Sequence, residues 1–153
     1  MNIQNSETRR SVTPRAARLL LGLSSAILAL GGIAHAGAFQ RALAALRASN
    51  LDAFIGQDLK VLWLSDSTTL LILAGVFGWI AARPSAARGS VVAALALVPA
   101  ATGFLIYVFL GGFYAGHLLV IAGLAAFLAA LRLSVSGLSH SASLRARGAG
   151  GTA

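Results

Sequence analysis

Four stretches of the chain are apolar on every helical face: about Leu19 to Phe39, Val61 to Ala82, Val91 to Gly111 and Gly112 to Leu133. Each is close to the ~20 residues that a helix rising ~1.5 Å per residue needs to cross a ~30 Å hydrocarbon core. Membrane β-strands would instead alternate apolar and polar positions over ~10 residues, and no such alternation runs through these Ala- and Leu-rich stretches. The pattern predicts an all-α, integral membrane four-helix bundle threaded up-down-up-down, with a transmembrane domain over 16–134. The flanking segments, 1–15 and 135–153, lack apolar periodicity and read as disordered tails, with His140 solvated in the second.

The connections between the spans fit a compact bundle. "ARPSAARGS" is a short turn signal between spans two and three, and "GGF" at Gly111 to Phe113 leaves almost no linker between three and four. The longest connection, "FQRALAALRASNLDAFIGQDL", places Phe39, Leu43, Leu46, Leu51 and Phe54 at roughly helical spacing with Arg41 and Arg47 between them. That pattern suggests a short interfacial helix between helices one and two; an extension of helix one followed by an ordered loop fits the same residues.

Charge sets the orientation. Arg9, Arg10, Arg15 and Arg18 precede span one, Arg83 and Arg88 follow span two, and Arg132, Arg145 and Arg147 follow span four. The opposite side carries only Arg41, Arg47 and Lys60, offset by Asp52 and Asp58. By the positive-inside rule both termini face the cytoplasm, which implies an inner (plasma) membrane protein. The net charge of +8 is spread over tails and turns and forms no single basic face, so nucleic acid is not an expected partner. With 58% hydrophobic and 10% charged residues the chain has too little polar surface for a solvated globule, and its first partner is the lipid bilayer.

The basic segment up to Arg18, the run "LLLGLSSAILALGGI" and Ala34-x-Ala36 also satisfy a signal-peptide pattern, whose cleavage would remove residues 1–36. Retention is favoured, because the apolar run continues through Ala38 and Phe39 and is long for a signal sequence. Small residues at Gly32 and Ala36, and at Gly112 and Gly116, have the four-residue spacing that lets helices approach closely in lipid.

Within "LWLSDSTTLLIL", Leu62 to Leu73, Asp66 and four hydroxyl residues interrupt span two. His35 and Tyr107 lie about four residues inside the outer ends of spans one and three, and Asp66 and His117 about five inside spans two and four. All four side chains are therefore expected ~6–8 Å below the outer boundary. A charged aspartate near the bilayer centre costs roughly 3 kcal/mol, less towards the interface, and such residues usually turn inward to a partner. The expected cluster is His35, Asp66, Thr69, Tyr107, Tyr114 and His117, centred on a hydrogen-bonded Asp–His pair. Ser65, Ser67 and Thr68 need no partner beyond a preceding helical carbonyl.

Three functional readings follow. In the first, the protein is a non-enzymatic accessory or structural membrane component, working with a membrane-protein partner or as a homo-oligomer, and the polar layer fixes helix order. In the second, it is a proton-linked small transporter or channel subunit, in which Asp66 and a histidine exchange a proton with an outer cavity opened by Pro99 and Gly103. In the third, His35 and His117 are axial ligands of a haem; otherwise no cofactor or metal is expected. The absence of cysteine removes disulfides and thiolate chemistry, and HExxH, GxSxG and P-loop patterns are missing, so no catalytic residues are assigned.

The span order, the "LWLSDS" opening of span two and the "GGFYAGHLLV" hairpin into span four resemble small bacterial four-helix inner-membrane proteins of unassigned function. The resemblance covers about Leu59 to Leu133 and implies a layout, not an activity. Small multidrug transporters, also four-helix, carry their membrane carboxylate in the first span, where this chain has His35.

Overall fold

The computed structural model describes residues 4–149, with side chains over 15–135. Five α-helices follow one another: α1 (Gln4–Gly37), α2 (Phe39–Ala48), α3 (Ala53–Ala82), α4 (Gly89–Leu110) and α5 (Tyr114–Ala149), with a 3-10 turn at Pro84–Ala86. Four segments are long and apolar enough to cross a membrane: Arg15–Ala48, Ala53–Ala82, Gly89–Leu110 and Tyr114–Val135. The chain is all-α, and these four apolar segments suggest a multi-pass membrane protein.

Each boundary has a local cause. Asp52 caps α3, its carboxylate accepting from the Phe54 N–H at 2.8 Å, as a short acceptor side chain does ahead of a helix with free N–H groups. Pro84 closes the turn after α3. Gly111 ends α4 at φ 68°, a left-handed conformation that glycine adopts without strain, and the turn to α5 needs only Gly111 to Phe113. The break between α1 and α2 is slight, because Ala38 keeps right-handed helical angles. α2 is a separate ten-residue amphipathic helix with no fully buried residue.

Two expected boundaries move. Span two was expected from Val61, yet α3 begins at Ala53, because Asp52 starts a helix that continues outside the apolar run. Helical backbone also reaches further into both tails, from Gln4 and to Ala149, since extending an existing helix through Ala, Arg, Leu and Ser avoids the cost of nucleation. The tail side chains, His140 among them, lie outside the described residues.

The helices pack in the spatial order α3–α1–α5–α4: α1 contacts α3 and α5 closely, α5 contacts α4, and the α3 and α4 backbones barely approach. The core runs through Ala17, Leu21 and Leu28 of α1, Leu73, Phe77 and Ile80 of α3, Val92 and Ala96 of α4, and an alanine series in α5. Residues upstream of Ala36 thus supply much of the interior. Large apolar side chains such as Leu30, Ile72, Leu97, Phe104 and Leu124 point outward. That is the expected surface for a bundle whose solvent is lipid.

Close approach depends on glycine at a few contacts. A Cβ at Gly103 would lie 3.0 Å from the Gly116 carbonyl oxygen, and one at Gly89 2.5 Å from the Ala130 carbonyl oxygen. Gly32 is in the same position against α3, where a Cβ would meet Leu71 Cγ at 3.0 Å. Of the expected small pairs, Gly32 and Gly116 are buried at contacts and Ala36 is half-buried. Gly112 faces open space, with nothing within 4 Å of a built Cβ.

Candidate functional site

His35 lies in the last turn of α1, three residues beyond Gly32. The missing side chain at Gly32 lets α3 come near enough for the imidazole to reach across. On α3, Trp63 and Ser67 are one turn apart, and Ser67 shares a buried face with Leu70 and Ala74. His35 Nδ1 is 2.9 Å from Ser67 Oγ, and His35 Nε2 is 3.7 Å from Asp66 Oδ2. The indole of Trp63 stacks on the imidazole, with ring centroids 4.2 Å apart and planes 14° from parallel. Its N–H donates to the His35 carbonyl at 2.8 Å, a carbonyl that also accepts from the Ala38 N–H at 3.2 Å. Ser67 Oγ is also 3.1 Å from the Trp63 carbonyl. Ser67 is buried, whereas His35 and Asp66 are 31% and 40% exposed.

A second polar contact joins α4 to α5. Tyr107 Oη hydrogen-bonds His117 Nδ1, and the two rings are 5.2 Å apart. Gly116 again prepares the approach: a Cβ there would lie 3.4 Å from Tyr107 Cε1 and 3.4 Å from the Gly103 carbonyl oxygen. His117 is exposed on its other side.

The expected cluster of six therefore divides. His35 and Asp66 come together on one helix pair, Tyr107 and His117 on another, and no hydrogen bond or ion pair links His117 to Asp66 or His35 among the described residues. Thr69 faces outward, its hydroxyl donating to the Ser65 carbonyl at 2.8 Å, and with Val61, Leu64, Ser65 and Thr68 it lines a shallow groove on the outside of α3. Tyr114 is 67% exposed and packs on Phe113. Ser67 and Trp63 were not among the expected site residues, although Ser67 falls on the phase of the buried α3 face.

The ligand chemistry of the two imidazoles is constrained by these partners. An axial role for both would require His35 to give up Ser67 or Asp66 and His117 to turn its exposed nitrogen inward. Among the described residues no group of three His, Asp or Glu side chains could hold a metal ion. The connectivity Ser67–His35–Asp66 matches a nucleophile, base and acid in order. However, Ser67 is 3% exposed and sits mid-helix, where the backbone N–H groups already donate to preceding carbonyls, so no oxyanion donors converge on it. What the arrangement can do is hold two helices and hold a proton.

No protein-family model matches the chain, and neither a curated relative nor a solved structure is similar to it.

Proposed function

We propose that this protein is a small, non-enzymatic accessory or structural component of an inner (plasma) membrane, with both termini in the cytoplasm and α2 lying at the outer interface. One observation carries the reading: each polar pair closes across a single helix–helix contact, His35 with Ser67 and Asp66 between α1 and α3, and Tyr107 with His117 between α4 and α5. Interhelical hydrogen bonds in lipid contribute about 0.6 kcal/mol on average and up to about 1.7. That is modest as stability, but it is enough to select one helix neighbour and one register over close alternatives. The apolar perimeter would then meet lipid, a second copy or another membrane protein.

The orientation rests on the nine cations at the cytoplasmic ends against three at the outer end. A second reading, a proton-linked transporter or channel subunit, is favoured by one feature, the partial exposure of the His35–Asp66 pair.

Reconstitution into liposomes with an entrapped pH-sensitive dye separates the two. Under an imposed pH gradient the structural reading expects no proton flux above that of empty vesicles. Flux that Asp66→Asn abolishes would replace it with the transport reading.

A further inference from the structure

Ser67 has one hydroxyl proton and two acceptors within reach, the Trp63 carbonyl at 3.1 Å on its own helix and His35 Nδ1 at 2.9 Å on α1. A neutral imidazole carries its proton on one nitrogen and an imidazolium on both. With His35 neutral and Asp66 ionised, the proton belongs on Nε2, facing the carboxylate oxygen 3.7 Å away, because the other tautomer would set a lone pair against an anion. Nδ1 is then an acceptor, and Ser67 donates to it.

Adding one proton to the pair reverses that contact. The proton is held either as imidazolium beside carboxylate or as an Nδ1–H imidazole whose Nε2 faces a protonated Asp66. In both forms Nδ1 carries a hydrogen, Ser67 Oγ accepts it, and the Ser67 proton turns to the Trp63 carbonyl. An amide carbonyl in place of Ser67 could only accept and a backbone N–H could only donate; a hydroxyl does both.

We infer that Ser67 is a positioning residue that lets the His35–Asp66 pair take up and release a proton while α1 and α3 remain clamped. Uptake moves the pair from a net charge of −1 to zero, with the proton exchanged at the partly exposed outer end of the bundle, so no helix has to open. The other charged and titratable groups near this end have their own settings. Arg41 and Arg47 of α2 and Asp58 of α3 are exposed, Asp52 caps α3, Lys60 donates to Gln57, Tyr114 of α5 is 67% exposed, and His117 of α5 is bonded to Tyr107 of α4; among the described residues none makes a hydrogen bond or ion pair with His35. The inference rests on the clamp reading of the His35–Ser67 contact.

Nitrogen-15 NMR of histidine- and tryptophan-labelled protein in lipid nanodiscs tests it, with the His35 signals assigned by their loss in His35→Gln. On the alkaline side of the His35 transition the expected proton position is Nε2, with Nδ1 a hydrogen-bonded acceptor. On the acid side Nδ1 carries a proton, while protection of the Trp63 indole N–H, held by the His35 carbonyl, against hydrogen exchange stays as high as on the alkaline side. Ser67→Thr keeps the hydroxyl and reproduces this behaviour. In Ser67→Ala that protection falls on the acid side, because the Nδ1 proton has lost its acceptor. An Nδ1–H tautomer on the alkaline side, no His35 transition at all, or a Ser67→Ala protein whose Trp63 indole protection is as constant as the wild type overturns the proposal. If Ser67→Ala fails to insert, the wild-type tautomer and Ser67→Thr decide. Failure of the clamp reading has a different signature: His35→Gln would leave the α1–α3 contact as stable as before.

Discussion

Ser67 Oγ reaches His35 Nδ1 at 2.9 Å, one turn from Gly32, where a Cβ would press on Leu70 and Leu71 of α3. A small residue admits the neighbouring helix, and a polar side chain a few residues on then makes the bond. Gly116 and the Tyr107–His117 contact repeat the arrangement between α4 and α5.

Ser67→Ala should lower stability by about 1 kcal/mol, within the range of about 0.6 to 1.7 for an interhelical hydrogen bond in lipid. Thr69→Ala should change it by no more than about 0.5 kcal/mol, because that exposed hydroxyl bonds only its own helix. Equilibrium unfolding in mixed micelles, followed by circular dichroism, measures both; equal losses would show that the inter-helix bond contributes nothing particular.

Tyr107→Phe should loosen the α4–α5 pair by a similar ~1 kcal/mol, whereas Tyr114→Phe should be silent, since Tyr114 is exposed and bonded to nothing across the bundle. Hydrogen exchange at the Gly111 to Phe113 turn is the sensitive readout: faster in the first variant, unchanged in the second.

Gly89→Ala should cost about 1–3 kcal/mol, because its Cβ would press on the Ala130 carbonyl oxygen and the Ser134 side chain and force α4 and α5 apart. Gly112→Ala, built into open space, should stay within about 0.5 kcal/mol of wild type. Thermal unfolding in detergent ranks the two; the reverse order would mean that α4 and α5 pack in another register.

Ser24 is fully buried and its hydroxyl has no hydrogen-bond partner among the described residues, whereas Ser25 beside it donates to the Ala74 carbonyl at 2.7 Å. A buried polar group without a partner costs about 1–3 kcal/mol. Ser24→Ala should therefore raise stability, by about 1 kcal/mol after the small loss of volume, while Ser25→Ala should lower it. A Ser24→Ala protein that unfolds earlier than wild type would sink the assignment.

Hydropathy along the chain reports the length of the apolar stretch, not the length of the helix. It marks the end of α3 at Ala82 and the turn at Gly111, yet it misses the eight residues from Ala53 to Lys60, because Gln57, Asp58 and Lys60 lower the hydropathy without stopping a helix that Asp52 has started. Counting residues from the span ends puts His35 and Asp66 at matching heights, and the two lie 3.7 Å apart. The direction a side chain faces around the bundle is a second coordinate, and the pattern leaves it open. That is why His117, expected near Asp66, bonds Tyr107 instead, two helices away in the order α3–α1–α5–α4. Ser67 carries no clear mark in the sequence, because a helical serine can always use the carbonyl one turn back. Its alignment with Leu70 and Ala74 was the available sign that it points inward. The spacing of Gly112 and Gly116 is the same whether one glycine packs or both do, and only Gly116 does.

The order of the helices also bears on biogenesis. Both polar contacts join long helices that leave the ribosome in succession, α1 with α3 and later α4 with α5, so the first half can close before the second exists. The α1–α5 face then unites two preassembled hairpins, and a chain cut between Pro84 and Arg88 should still yield both pieces, able to find each other in the bilayer.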